Sequence, residues 1–326
     1  MRQPFEGIGL NKKIIDILTA SWRASTQKQY CVYIKKWRIF CANRKESHLQ
    51  ASANFVLEFL SDLFYVRGCS YNAINSARSA LASFLVLNDN IHTVGNHPII
   101  TRFMKGVFQL RPPRPRYSDI WDVNIVFQHL RKLSPAKSLS LKDLTKKLCI
   151  LMALLSTQRA QSLQLLSLDN MSLKESSVTF QLSELIKQNR PGNTGFRIHI
   201  KAYPPDRRLC VVNYIKHYIA RTKDLRGNEQ RLFISFRKPH ARITSQTVSR
   251  WIKDVMDDAG IDTTLYKAHS TRAAATSAAD RADLPISVIL AKAGWSNEKT
   301  FRSYYKMPLM RNNGDKCIAN ALLKKV

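Results

Sequence analysis

The chain has 326 residues, enough for two ordinary domains, and its 44% hydrophobic content is that of a globular protein rather than a disordered segment. Its net charge is +29, and the excess is spread along the chain: residues 1–110 carry 14 basic and 6 acidic side chains, and the remainder carries 38 and 17. This distribution favours a polyanion such as double-stranded DNA as partner, because membrane-surface binding usually needs a concentrated basic cluster. No apolar run is long enough to cross a bilayer, and no secretory signal precedes the first helix, so we expect a soluble intracellular protein.

Residues 1–110 are predicted to form a helical domain. Aromatic and apolar residues recur there at helical spacing. Ser25 or Thr26 is expected to cap the first helix, and Ser70 the third. The four predicted helices span residues 25–41, 55–64, 70–87 and 97–108.

Residues 111–118 are predicted to be a stiff, basic linker, since three prolines interrupt the helical pattern there. Arg111, Arg114 and Arg116 of this segment are candidates for contacts with a DNA backbone. A PxxP ligand for a partner domain is the less favoured interpretation.

Residues 119–326 are predicted to form a second, mixed domain. Residues 177–182 and 195–200 have the alternation of strands, and turn residues separate them. The fold class is therefore mainly α with a small β-sheet. Helices are predicted near residues 122–133, 141–156, 210–222, 244–259, 269–282, 285–293, 297–305 and 314–325.

His269 and Arg272 have the types and spacing for phosphodiester chemistry. Three residues apart in a helix, they share one face. Arginine can bind two phosphate oxygens at once and histidine can transfer a proton, although a solvated helix face is the commoner explanation of such a pair. A Gly-Trp pair follows at 294–295, and then adjacent tyrosines at 304 and 305 on a short helix.

Two further cations precede this cluster. Arg159 follows the apolar helix LCILMALL, where it could be held rigidly, and Lys187 lies between the two predicted strands. Taken singly, each is more simply explained as an ordinary surface residue.

In this order, Arg159, Lys187, the His269-Ser-Thr-Arg272 motif, the Gly-Trp pair and the tyrosines resemble the tyrosine recombinases, or phage integrase family. The helical segment STQKQYCVYIKKWRIFC is similar to that family's core-binding domain. More narrowly, TQRAQSLQLL, KQNRPG, AHSTRAAATS and GWSNEKTFRSYYKMP resemble the recombinases of eukaryotic DIRS-, Ngaro- and Crypton-type mobile elements.

The resemblance implies a two-domain clamp around DNA and site-specific recombination through a covalent 3′-phosphotyrosyl intermediate. Arg159 and Arg272 would hold the non-bridging oxygens, Lys187 would protonate the leaving 5′ oxygen, and His269 would assist proton transfer. Trp295 stands where many members have histidine, and would donate its indole N–H to phosphate. Lys35, Lys36 and Arg190 are additional candidate DNA contacts.

Two adjacent tyrosines are candidates for the nucleophile. Tyr304 lies nine residues after Trp295, the offset of bacterial and phage members. Tyr305 lies ten after it, in a TFxxxYxxP pattern like that of the mobile-element group, and we favour it. Adjacent helical residues point about 100° apart, so only one of them can face the phosphate.

The resemblance implies no metal and no other cofactor, and the sequence lacks an ATP-binding GxxxxGK[ST] loop. The cysteines have no CxxC spacing, so neither a disulfide framework nor a zinc site is predicted. The implied working unit is a homotetramer on two DNA sites, located in the nucleus if the mobile-element likeness holds. The alternatives are a catalytically inactive, domesticated DNA-binding protein and a type IB topoisomerase-like enzyme.

Overall fold

In the computed structural model, residues 3–7, 9–113, 117–184 and 195–310 are described, and the chain divides into two compact units, 1–115 and 116–326. No helix within the described ranges is long and apolar enough to span a bilayer.

The first unit is a small helical domain. A two-residue parallel ribbon joins the loops between its helices, with Gln50 opposite Val86 and Ala51 opposite Leu87. Its elements are α1 (Gln3–Glu6), α2 (Lys12–Ala20), α3 (Ala24–Ala42), β1 (Gln50–Ala51), α4 (Ala53–Tyr65), α5 (Tyr71–Ala82), β2 (Val86–Leu87) and α6 (Pro98–Leu110).

Aromatic packing explains how these helices are held together. Trp37 of α3 is fully buried and meets Phe59 of α4 edge-on, with 5.2 Å between ring centroids. Such a pair adds roughly 0.5–1.5 kcal/mol to the burial of the rings themselves. Ser70 caps α5 as predicted, accepting from the amide of Ala73, whereas the prediction for α3 was wrong: Arg23 is its N-cap residue and makes no side-chain cap bond.

The second unit places helices around one long buried helix, α8, and a three-stranded antiparallel sheet. Val178 pairs with Ile200 and Phe180 with Ile198, so the apolar sides of two strands face the core. Its elements are α7 (Val123–Lys132), α8 (Leu141–Ser156), α9 (Ala160–Gln164), β3 (Met171–Leu173), β4 (Ser177–Leu182), β5 (Phe196–Lys201), α10 (Val211–Thr222), α11 (Ser245–Asp258), α12 (Ser270–Arg281), α13 (Ile286–Ala293) and α14 (Glu298–Tyr304).

The predicted fold class, mainly helical with a small sheet, is confirmed. The sequence pattern did not predict α2, α9 or β3, which are short or lack a clear period. The helix predicted near 314–325 lies outside the described residues.

Lys147 is an unusual core residue, since it is entirely buried in α8. Its Nζ donates to the carbonyls of Leu130 and Leu133 and to the hydroxyl of Tyr214, at 2.6–2.7 Å. The ammonium thereby satisfies carbonyls at the C-terminal end of α7, where a positive charge is favoured. Burial nevertheless lowers the pKa of Lys147 to about 7.

This depressed pKa predicts a stability that rises with pH. Between pH 7 and the ordinary lysine pKa of 10.5, the unfolded chain binds more protons at residue 147 than the folded chain does. Relative to Lys147→Met, the wild-type free energy of unfolding should be flat below pH 7 and then rise by at most about 1.4 kcal/mol per pH unit. Urea denaturation of both proteins from pH 6 to 9 measures the difference. Parallel curves would show that the three hydrogen bonds keep the ammonium charged.

Candidate active site

Arg159 is held by the tight connection between α8 and α9. Thr157 has φ +54°, a left-handed conformation that is strained for a β-branched residue. The side-chain amide of Gln158 donates to the carbonyls of Ser156 and Lys292, at 3.2 and 2.8 Å, so it ties this turn to α13. Arg159 occupies the N-cap position of α9, and its Nη1 is buried with no hydrogen-bond partner among the described residues.

The start of α12 carries His269 and Arg272. The indole N–H of Trp121 donates to Ser270 Oγ at 2.9 Å within the core, which fixes the first turn of the helix. His269 is exposed and precedes the helix, whereas the side chain of Arg272 is fully buried. Arg272 Nη2 donates to the carbonyl of Ala293 at 3.0 Å, but its Nε and Nη1 have no partner in the described chain.

Gly294 turns the chain so that Trp295 enters the site. It ends α13 at φ +66°, a left-handed conformation that glycine adopts without strain. The Trp295 ring then lies 4.9 Å from the guanidinium carbon of Arg272 and 4.3 Å, between centroids, from the ring of Tyr305. The indole Nε1 is buried and also has no hydrogen-bond partner among the described residues.

The two tyrosines are in different environments. Tyr304 is the last residue of α14 and is 69% exposed. Tyr305 is the C-cap residue rather than part of the helix, and its Oη lies 3.2 Å from Nε2 of His269. Which of these two atoms donates depends on the histidine tautomer. Of the two tyrosines, Tyr305 is the one beside His269, Arg272 and Trp295.

The chain around Tyr305 is fixed to α12 by a residue that the sequence analysis did not single out. Ser277 Oγ donates to the carbonyl of Tyr305 at 2.6 Å and accepts from the amide of Met307 at 3.0 Å. Ser277 and Arg272 belong to the same helix, so a single element sets the positions of both Arg272 and the Tyr305 backbone. A serine at helical spacing carries no distinctive sequence signal.

The electrostatics of this cluster indicate an anion site. Burial, and then the like charge of Arg159, lower the pKa of Arg272 to about 10, so the guanidinium of Arg272 stays charged at neutral pH. Arg159, His269 and Arg272 line a cavity of about 60 Å³, whereas roughly 10–15 Å³ suffices for one water. Unpaired buried donors are costly, and a phosphate group would satisfy several of them at once.

The other predicted site residues are placed as follows. Lys187, Arg190, Arg114 and Arg116 lie outside the described residues. The remaining three predicted DNA contacts belong to the first unit, and their role stays a prediction: Lys35 is exposed on α3, Lys36 lies 5.7 Å from the ring centroid of Tyr33, and Arg111 donates to the carbonyl of Cys69 at 2.5 Å.

The geometry agrees with the sequence profile of the phage integrase family, which matches residues 126–309. This chain belongs to the phage integrase family, that of the tyrosine recombinases. No curated protein matches it in sequence.

Solved structures with the same fold are tyrosine recombinases. One is the XerH site-specific recombinase bound to difH substrate in a pre-cleavage complex, with a TM-score of 0.53, 13% identity, and coverage of 84% of this chain and 71% of that one. Another is the lambda integrase (residues 75–356) bound to DNA, with a TM-score of 0.52, 15% identity, and coverage of 93% and 95%. At identities of 13% and 15%, the similarity shows that this chain has the same fold as those two proteins.

Proposed function

We propose that this recombinase cleaves and rejoins DNA strands with Tyr305 as its nucleophile. The observation that carries the proposal is that Arg272 and Trp295, each with unpaired buried donors, lie against the Tyr305 ring, while Arg159, which has another such donor, lines a cavity with His269 and Arg272. These donors form a preorganised site for a phosphate whose charge increases in the transition state. Arginines already supply positive charge there, so the chemistry needs neither a metal ion nor ATP.

In the proposed reaction, Tyr305 Oη attacks the scissile phosphorus and forms a 3′-phosphotyrosyl bond as the bond to the 5′ oxygen breaks. His269, 3.2 Å away, accepts the phenolic proton. Lys187 is proposed to protonate the leaving 5′ oxygen. Attack of a 5′ hydroxyl on the phosphotyrosine reverses these steps and rejoins a strand, so no external energy source is required.

DNA is proposed to be held by both units. Residues 1–110 would act as the core-binding domain, 111–118 as a basic linker and 119–326 as the catalytic domain, with Lys35, Lys36, Arg111, Arg114, Arg116 and Arg190 on the phosphate backbone. The net charge of +29 supports this binding mode. Recombination cleaves four strands, so the proposed working unit is a homotetramer on two DNA sites.

The proposed biological role is integration of a eukaryotic mobile element in the nucleus. It is supported by the TFxxxYxxP pattern that ends at Pro308 and by the likeness of the segment GWSNEKTFRSYYKMP to the recombinases of such elements. A second candidate function is that of an inactive DNA-binding protein on this scaffold, but the proximity of His269, Arg272, Trp295 and Tyr305 disfavours it. A type IB topoisomerase-like activity is a third candidate and would use the same side chains.

The proposal is tested by capturing covalent adducts from a pool of duplexes that carry a nick within randomised sequence. The protein is incubated with the pool in the presence of a chelator, denatured, and recovered with any attached DNA for sequencing. Enrichment of one target with DNA attached through its 3′ phosphate is expected. If the protein binds DNA tightly but forms no more adduct than Tyr305→Phe does, it is an inactive DNA-binding scaffold. If it relaxes plasmids without site preference, it is a topoisomerase.

Ser277→Ala tests how the Tyr305 backbone is positioned. The substitution removes one hydrogen bond to the Tyr305 carbonyl and one from the Met307 amide. Since small misplacements of a reacting group can cost about 100-fold, we expect cleavage to slow by roughly 10- to 100-fold with DNA affinity unchanged. Single-turnover cleavage and equilibrium binding measure the two quantities. A parallel loss of affinity would indicate that the substitution damages the fold instead.

A further inference from the structure

A second group of chemically active side chains belongs to the first unit, whereas the residues of the proposed chemistry belong to the second. Asp89, His92 and His97 come from the loop between β2 and α6, and their ligand atoms all lie within 4.8 Å of one another. His92 Nδ1 is 2.9 Å from Asp89 Oδ2, and His97 Nε2 is 3.5 Å from the same oxygen. Within the described residues this is the one group of at least three His, Cys, Asp or Glu side chains with such spacing.

We propose that these three side chains bind a divalent first-row transition-metal ion, of which Zn²⁺ is the representative case. Ligands about 2.1 Å from a tetrahedral zinc ion lie roughly 3.4 Å apart, so the observed separations need only small side-chain movements. Two imidazoles and one carboxylate form a common ligand set for such ions. The remaining coordination position would hold water.

The loop orients the carboxylate for this role. Asp89 Oδ1 accepts from the amides of Ile91 and His92, at 3.1 and 3.2 Å. These bonds fix one oxygen to the backbone and leave Oδ2 directed at both imidazoles. A carboxylate fixed in this way loses little conformational freedom on binding an ion.

His97 supports the proposal because its ring has no short hydrogen bond among the described residues. Its Nε2 is 3.5 Å from the Asp89 carboxylate, and its Nδ1 is buried without a partner. The ring is instead held edge-on to the ring of His92, with 5.1 Å between centroids. An ion at Nε2 would give this largely buried imidazole a strong polar contact.

The types of ligand select the class of ion. Ca²⁺ and Mg²⁺ prefer several oxygen ligands, whereas this group offers two imidazoles and one carboxylate, and imidazoles suit zinc, nickel and copper. A bound ion would cross-link the end of β2 to the start of α6.

The full-length chain, purified with a chelator and a phosphine reductant, is titrated with Zn²⁺ by calorimetry and with Co²⁺ by absorption spectroscopy. We expect one equivalent to bind with visible bands but without the intense near-ultraviolet band of a thiolate ligand. Hydrogen exchange of the amides at 86–100 should slow on addition of Zn²⁺, because the ion stabilises the folded loop.

Asp89→Asn is the decisive variant, because asparagine keeps an oxygen for the two backbone amides and loses only the charge. We expect Asp89→Asn and His97→Gln each to weaken binding by tenfold or more, while His217→Gln, a control histidine on α10, leaves it unchanged. Circular dichroism in chelator verifies that the variants fold. If Zn²⁺ does not bind, or binds equally to all variants, Asp89 serves only to cap its turn and the proposal is overturned.

Discussion

Tyr305→Phe is expected to abolish the covalent protein–DNA adduct, whereas Tyr304→Phe should retain it. The Oη of Tyr305 lies 3.2 Å from His269 Nε2, and its ring packs against Trp295, while Tyr304 is 69% exposed. Removing the attacking atom leaves no alternative nucleophile in place, so the cleavage rate should fall by on the order of 10⁴-fold or more. The measurement is adduct formation on a nicked duplex, resolved on a denaturing gel.

The matched pair of variants separates loss of chemistry from loss of fold. Both replace one hydroxyl by hydrogen, and their side chains are adjacent in sequence. Tyr305→Phe should bind DNA as tightly as wild type, since its ring remains against Trp295. If only Tyr304→Phe lost the adduct, Tyr304 would be the nucleophile. The segment after α14 would then have to rearrange when DNA binds.

Periodicity predicted the helical part of the fold because most of these helices bury one face. Both long strands of the second unit were predicted within one residue, since Val178 and Phe180 alternate with polar neighbours. The pattern failed for short elements such as α9 and β3. Nothing in a local pattern shows that Lys147 lies in the core, because its three hydrogen-bond acceptors come from other elements.

The candidate site was predictable in its residue types but not in its geometry. The order of Arg159, His269, Arg272 and Trp295 along the chain indicated phosphate chemistry. Spacing alone left two tyrosines open, because which of them contacts His269 depends on where α14 ends. Ser277 could not be predicted either, because its role depends on contact with a segment 28 residues further along.

The cluster of Asp89, His92 and His97 also could not be predicted from the sequence. CxxC spacing would have indicated a cysteine zinc site, whereas Asp89, His92 and His97 are separated by two and four residues in a loop. A turn stabilised by Asp89 brings the three side chains together. Such a cluster is visible only once the backbone conformation of the loop is known.

Arg272→Lys is expected to slow strand cleavage by about 10²- to 10³-fold without preventing DNA binding. Arg272 Nη2 is anchored on the Ala293 carbonyl, while its Nε and Nη1 are buried without a partner in the described chain, an arrangement that uses the planar, forked guanidinium. Lysine keeps the charge but has a single nitrogen, which cannot bond both the carbonyl and two phosphate oxygens. Loss of one donor aimed at transition-state charge typically has an effect of this size.

Single-turnover cleavage by wild type, Arg272→Lys and Arg302→Lys measures this effect. Arg302 is an exposed residue of α14 that pairs with Glu298 at 2.5 Å. A lysine can form the same ion pair, so Arg302→Lys should leave the cleavage rate unchanged. DNA affinity should hardly change, because most of it comes from the many other basic residues. Wild-type cleavage by Arg272→Lys would mean that positive charge alone suffices at this position, and that the fork geometry of the buried guanidinium does not contribute to the rate.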